Sequence, residues 1–443
     1  MTSKRKVLSL VTSIVLAMTL CLGMALPAFA IEYSTGVNAS NPAKAAITKQ
    51  LRMPVDTTIP DATFVFEFEA IGMDDEEDPT GMPEIPSVFV NYPADVELVY
   101  TKGGDDYAVA ETPDFLADFI SSSWTKGEGI YKYRITESLH PTSEIQLTGA
   151  PNEGAYYSEA QYEMEIWVEK DSNGNLFAKY VAVKIVLDYL DEYYEGETTE
   201  KKVDPEPGDR DGKENITIDD FSQVIFTNRY WTSDGGGEGK PDEAALTLIK
   251  EVAGNGAEKG KYFDFTVTVI QPEVINTGTQ FYKAYIIDTN GQITTSADNY
   301  KGTFEKGDYI LFESGEPETI HLKDNQKLVF VDLHVGANVE IEEAADGDYI
   351  PEYDRTFSNG GTRRAENVGT DWGFPRAGED EGPHYIEKGT NVNTVTFTNI
   401  RSGATPTGIS VDNLPYLVLI LAGLIALAGY VVVKSRKNAK YCA

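Results

Sequence analysis

Lys49, Glu137 and Asn228 in the first half of the chain, and Lys250, Glu343 and Asn399 in the second, occupy the apolar phase of strand-like segments. The first three segments read Ile47-x-Lys49-x-Leu51, Tyr133-x-Ile135-x-Glu137 and Val224-x-Phe226-x-Asn228. Their counterparts are Leu246-x-Leu248-x-Lys250-x-Val252, Val339-x-Ile341-x-Glu343 and Val395-x-Phe397-x-Asn399. Side chains at i, i+2 and i+4 share one face of a strand, so all six polar groups are expected to point into a core. In the run Glu340-Ile341-Glu342-Glu343, strand phase favours Glu343. An unpaired buried charge costs on the order of several kcal/mol, and two copies of the same exception argue for a purpose.

Buried together, these residue types can react. Burial lowers a lysine pKa and raises a glutamate pKa. The lysine can then be a neutral amine, which is a nucleophile. The glutamate can be a neutral acid that polarises the asparagine carboxamide and shuttles a proton as ammonia leaves. The product is an isopeptide bond between the Lys and Asn side chains, and rigid placement compensates for a poor electrophile. Such a reaction runs once per domain, so no enzymatic turnover is expected. The competing reading is a set of buried, hydrogen-bonded Lys–Glu pairs without a covalent bond.

The elements that must position these residues are strands. Phe64-x-Phe66-x-Phe68 and Phe263-x-Phe265-x-Val267-x-Val269 alternate with period 2 and follow the lysine segment in each half. Asn173-Gly174 and Asn290-Gly291 supply hairpin turns. Asp171, Asn173 and Asn175 resemble a calcium loop at first sight, but the glycine falls at the fourth position rather than the sixth, which favours a turn. The expected fold class is all-β, with two tandem Ig-like β-sandwich domains over residues 31–232 and 243–401. Ser233 to Asp242 reads as a Gly-rich acidic linker, and Gly196 to Asn215 as a soft stretch inside the first domain.

Both ends read as export and anchoring signals. Lys4, Arg5 and Lys6 precede an apolar stretch from Val7 to Leu26, and Ala28-Phe29-Ala30 is a cleavage motif, so residues 1–30 are expected to be a signal peptide cut between Ala30 and Ile31. Leu414 to Val433 is an uncharged run long enough for a transmembrane helix, and the basic tail at 434–443 keeps that end in the cytoplasm. Residues 402–413 contain Thr405-Pro406-Thr407-Gly408.

Composition narrows the function further. The full chain has 37 basic and 71 acidic side chains, a formal charge of −34. Without three basic residues in the signal, four after Thr407, and Asp412, 30 basic and 70 acidic side chains remain, a net of −40. Such a surface repels nucleic acid, so no nucleic-acid partner is expected. Cys21 and Cys442 both lie in the terminal segments, leaving an exported ectodomain without a disulfide. His140, His321, His334 and His384 match no metal motif and read as surface or turn histidines, so no metal or cofactor is expected.

The first half, with Ile47-Thr48-Lys49, Tyr133-x-Ile135-Thr136-Glu137 and Val224-x-Phe226-Thr227-Asn228, resembles the pilin isopeptide-linkage domain of streptococcal T-antigen-type backbone pilins. The stretch from Tyr157 to Ala178 is similar to that family as well. The second half resembles collagen-adhesin B-type Ig-like domains. Together these resemblances imply a Lys49–Asn228 bond assisted by Glu137 and a Lys250–Asn399 bond assisted by Glu343. The C-terminal arrangement resembles a sortase sorting signal of the Val-Pro-Thr-Gly type, which implies cleavage between Thr407 and Gly408. Thr405 stands where Val is usual, leaving open which sortase reads it. The implied partners are sortase and either cell-wall peptidoglycan or other pilin subunits, and the implied location is the cell wall. The family's Tyr-Pro-Lys acceptor is replaced here by Tyr92-Pro93-Ala94, so Lys201, Lys202 and Lys213 become the candidate acceptors. The rival reading is a wall-anchored adhesin that does not polymerise and binds a host ligand, with Trp372 and Phe374 the first aromatics to test.

Overall fold

The computed structural model describes residues 33–138, 144–187, 201–276, 278–356, 362–366, 386, 388, 393–401, 419, 420, 424 and 427. The expected signal peptide with Ala30 and Ile31, the sorting residues Thr407 and Gly408, Trp372 and Phe374 lie outside the described residues, as does most of Leu414–Val433. Among the described residues no helix is long and apolar enough to cross a membrane.

Strands dominate both halves. The first contributes β1 (Ser34–Thr35), β2 (Thr48–Pro54), β3 (Ala62–Met73), β4 (Val88–Tyr92), β5 (Leu98–Lys102), β6 (Asp105–Glu111), β7 (Gly129–Glu137), β8 (Gly154–Tyr156), β9 (Gln161–Lys170), β10 (Leu176–Leu187), β11 (Lys202–Val203) and β12 (Ile225–Trp231). They form one sheet ordered β1-β10-β9-β7-β3-β4, with β11 alongside β10, and a second ordered β5-β6-β2-β12-β8. The second half contributes β13 (Leu246–Ala253), β14 (Phe263–Ile270), β15 (Phe281–Ile287), β16 (Ile310–Glu313), β17 (Pro317–Leu322), β18 (Lys327–Phe330), β19 (Asn338–Glu343), β20 (Ile350–Thr356), β21 (Thr362–Glu366) and β22 (Asn393–Ile400). Their sheets run β16-β15-β18-β13-β22-β20-β21 and β17-β14-β19.

The period-2 expectation holds on the strands that matter. In β7 every second residue from Tyr131 to Glu137 is buried, and β14 and β19 alternate in the same way. Phe64, Phe66, Tyr133, Ile135, Met164, Ile166 and Phe226 share one core, and Leu248, Phe265, Val267, Phe330, Ile341 and Phe397 another. Each half is thus an all-β sandwich whose sheets close over the apolar faces that the alternation marks. The Asn173-Gly174 hairpin joins β9 to β10, with Asp171 Oδ1 accepting the N–H groups of Asn173 and Asn175 at 2.8 and 3.0 Å. That carboxylate closes a turn, as the glycine position suggested.

Two features differ from the sequence reading. The Gly-rich segment after residue 232 lies along the second sandwich, where Asp234 N donates to Leu333 O at 2.8 Å and Gly237 N to Val331 O at 2.8 Å. A Cβ on Gly235, whose φ is +91°, would fall 2.3 Å from Val331 O. Glycine therefore serves close backbone approach here rather than looseness. His334 is fully buried, not a surface or turn residue. Its Nε2 donates to Asn152 O in the first half at 3.0 Å, and its Nδ1 accepts from Tyr282 Oη at 2.8 Å. Burial pushes the imidazole down to about 4, so the ring is neutral at ordinary pH. Asn152 Nδ2 returns a bond to Asp332 O at 2.8 Å, and Val335 N donates to Thr232 O at 3.0 Å. One sequence cannot disclose this burial, because the groups around His334 come from residues far away in the chain.

Candidate functional site

In each half the lysine strand and the asparagine strand are parallel neighbours, whereas the other strand pairings among the described residues are antiparallel. Lys49 on β2 registers with Phe226 on β12, and Asn228 with Leu51. Lys250 on β13 registers with Phe397 on β22, and Asn399 with Val252. The offset is the same two residues in both halves, which keeps lysine and asparagine on one face as diagonal neighbours. The glutamates arrive from the facing sheets. Glu137 ends β7 opposite Phe66, and Glu343 ends β19 opposite Phe265.

All six side chains are brought together in two buried trios. In the first, Lys49 Nζ lies 2.7 Å from Glu137 Oε2, and Asn228 Nδ2 donates to Glu137 Oε1 at 2.7 Å. Ser158 N donates to Asn228 Oδ1 at 2.7 Å. In the second, Glu343 Oε1 meets both Lys250 Nζ and Asn399 Nδ2 at 2.8 Å. Lys49 and Lys250 are 0% exposed, although each carries a long charged side chain. Long cations are almost never this deeply covered unless paired.

The Phe-x-Phe segments have a role that the sequence did not suggest. The first ring of each faces the amine: Lys49 Nζ is 4.6 Å from the Phe64 centroid and Lys250 Nζ is 4.5 Å from that of Phe263. The next ring, Phe66 or Phe265, stands in register with the glutamate. Each trio therefore sits under an aromatic cover that excludes water.

That exclusion sets the electrostatics. Burial pushes the Glu137 and Glu343 carboxyls up, against the opposing pull of the lysine beside each. Burial likewise lowers the Lys250 amine to about 8, despite Glu343. Both tendencies favour a neutral amine beside a neutral acid. A proton passing from ammonium to carboxylate over the 2.7 to 2.8 Å contacts produces that state without any change in the pair's proton count.

The candidate acceptor lysines lie apart from these trios. Lys202 pairs with Lys184 between β11 and β10, Lys213 forms an ion pair with Asp220, and Lys201 is half-buried.

Fold and sites together define a class: tandem β-sandwiches in which a buried lysine–glutamate–asparagine trio lies between two parallel neighbouring strands of one sheet and a strand of the facing sheet. Residues 244–401 match a family described as a domain of unknown function, DUF7601. A protein named "Pilin" from Streptococcus pyogenes serotype M1 is 23% identical over 423 residues, covering 94% of this chain and 97% of its own. The crystal structure of the major pilin from Streptococcus pyogenes is similar at 17% identity and a TM-score of 0.29, covering 82% of this chain and 99% of that one. A shaft pilin from Lactobacillus rhamnosus GG is similar at 9% identity and a TM-score of 0.17, covering 82% of this chain and 100% of that one.

Proposed function

We propose that this chain is a structural pilin subunit, exported and joined through its C-terminus by a sortase to other subunits or to cell-wall peptidoglycan. The observation that carries this reading is the repeated placement of a reactive trio across a parallel pair of strands, one near the start and one at the end of each sandwich. A subunit of a fibre under tension needs that tie, and likeness to a pilin along 94% of the chain supports the same role.

In each sandwich the neutral lysine amine adds to the asparagine Cγ, forming a C–N bond. The glutamic acid gives its proton to the departing Nδ2 and takes one from the lysine nitrogen. The old C–N bond breaks, ammonia leaves, and the acid ends protonated as it began. Lys49 joins Asn228 with Glu137 as the acid, and Lys250 joins Asn399 with Glu343. Neither site turns over, since its own side chains are consumed.

The reaction needs one proton on the lysine–glutamate pair. With the Lys250 amine at about 8, that proton is lost as pH rises past 8, so cross-linking of the second sandwich should slow above that pH. It should also slow at acid pH, once both groups are protonated. Following ammonia loss in newly made protein from pH 5 to 10 checks this, and a rate that keeps rising beyond pH 9 would contradict the assignment.

Assembly is tested in the producing cell. Immunoblots of wall extracts should show a ladder of covalent multimers. The Thr407→Ala chain should lack the ladder and appear in the medium or membrane. A single wall-bound band would mean a monomeric anchored protein, the adhesin reading. Wall attachment that survives Thr407→Ala would remove the sortase.

A further inference from the structure

We infer that the backbone N–H of Ser158 is a catalytic donor for the first sandwich's cross-link, stabilising charge on Asn228 Oδ1, and that the second sandwich lacks such a donor. The inference rests on the proposed isopeptide chemistry and adds a group to it. A backbone N–H can only donate, so its 2.7 Å contact with Asn228 Oδ1 fixes which end of the carboxamide is oxygen. The nitrogen end then faces Glu137 Oε1 at 2.7 Å. Glu137 is therefore placed to protonate the leaving nitrogen, not to polarise the carbonyl. The carbonyl is polarised from the other side, by Ser158.

The fold holds this donor in place. β8 pairs antiparallel with β12, with Tyr156 opposite Arg229, and the chain then crosses from that sheet to β9 in the other. Ser158 lies in the crossover, is 6% exposed, and accepts the Ala160 N–H on its own Oγ at 3.2 Å. When Lys49 Nζ adds to Cγ, the electron pair of the C=O bond moves onto Oδ1, where the N–H already points. The charge collapses back as Nδ2 leaves with the Glu137 proton, so the atom balance of the cross-link is unchanged. A preset donor in a dry site of this kind typically accelerates acyl transfer about 100- to 1,000-fold.

The second sandwich differs at the same atom. Among the described residues, Asn399 Oδ1 is buried with no hydrogen-bond partner. Opposite Asn399 on β20 stands Pro351, which has no N–H. One oxygen of Glu343 serves both lysine and asparagine, where Glu137 uses one oxygen for each.

The full-length chain, made in a cell-free pulse and chased, can be digested at intervals and both cross-links followed by peptide mass. Asn228 should close first, at least about tenfold ahead of Asn399. Ser158→Pro removes the N–H and should slow the first cross-link about 100-fold or more while leaving the second alone. Ser158→Ala keeps the N–H and should stay within a few-fold of the unaltered chain. The inference is overturned if Asn399 closes as fast as Asn228 in the unaltered chain, or if a folded Ser158→Pro chain closes at the original rate. Should Ser158→Pro disrupt folding, the order of closure in the unaltered chain still decides. If both bonds form at equal rates, only the donor role falls. If neither forms, the isopeptide reading falls with it.

Discussion

The intact mass of the purified ectodomain should fall short of its sequence mass by two molecules of ammonia. Each loss should depend on its own trio. Glu137→Ala, Lys49→Ala or Asn228→Ala should abolish the first loss and Glu343→Ala the second, after allowing for the substituted side chains. The two sites sit in separate cores without shared partners, so the effects should be independent. Loss of the first bond should also lower the melting temperature of the first sandwich. On the chain-entropy account a closed loop of this size contributes about 4–5 kcal/mol, which corresponds to about 10–20 °C for a domain of this length. Glu137→Ala should lie at the upper end, because it also leaves Lys49 buried without its carboxylate. A mass equal to that of the unmodified sequence would mean that both trios are ion pairs and nothing more. A deficit of one ammonia that survives Glu343→Ala would leave the second sandwich uncross-linked.

Pulled from its two ends, the chain should resist extension at forces that unravel ordinary β-sandwiches. The reason is positional. Once past β1, force runs into the first sandwich along β2 and meets Lys49 at its second residue; it leaves from β12 just past Asn228. The covalent tie bypasses β3 to β11 entirely. The second sandwich repeats the plan, with Lys250 in β13 and Asn399 one residue before the end of β22. Single-molecule traces of the unaltered chain should therefore show neither domain lengthening. Glu137→Ala should release roughly 600 Å and Glu343→Ala roughly 500 Å, at about 3.4 Å per residue of freed chain. β1 lies outside the first loop and is held by pairing of Ser34 and Thr35 with β10, so a small early extension is expected in every variant. Full-length extension of the unaltered protein would show that the strands are not tied.

Much of this arrangement was legible in the sequence, and for a local reason. A strand's side chains alternate whatever the strand packs against, so Lys49, Glu137, Asn228, Lys250, Glu343 and Asn399 could be placed on core faces from their apolar neighbours alone. The Asn173-Gly174 hairpin followed from turn chemistry equally local in origin. Pairing between distant segments decided the rest. The parallel register that sets Asn two residues ahead of Lys joins residues from opposite ends of each domain. His334 was misread because its burial depends on Asn152 and Tyr282, neither of them near it in sequence. The glycines after residue 232 read as loose until Val331 lay against them. Ser158 left no trace at all, since what matters is its backbone N–H, which nearly every residue has. Sequence determined which faces are buried and which reactive groups they carry. Tertiary structure decided which atoms those groups touch, because hydrogen-bond direction depends on neighbours that only the folded chain supplies.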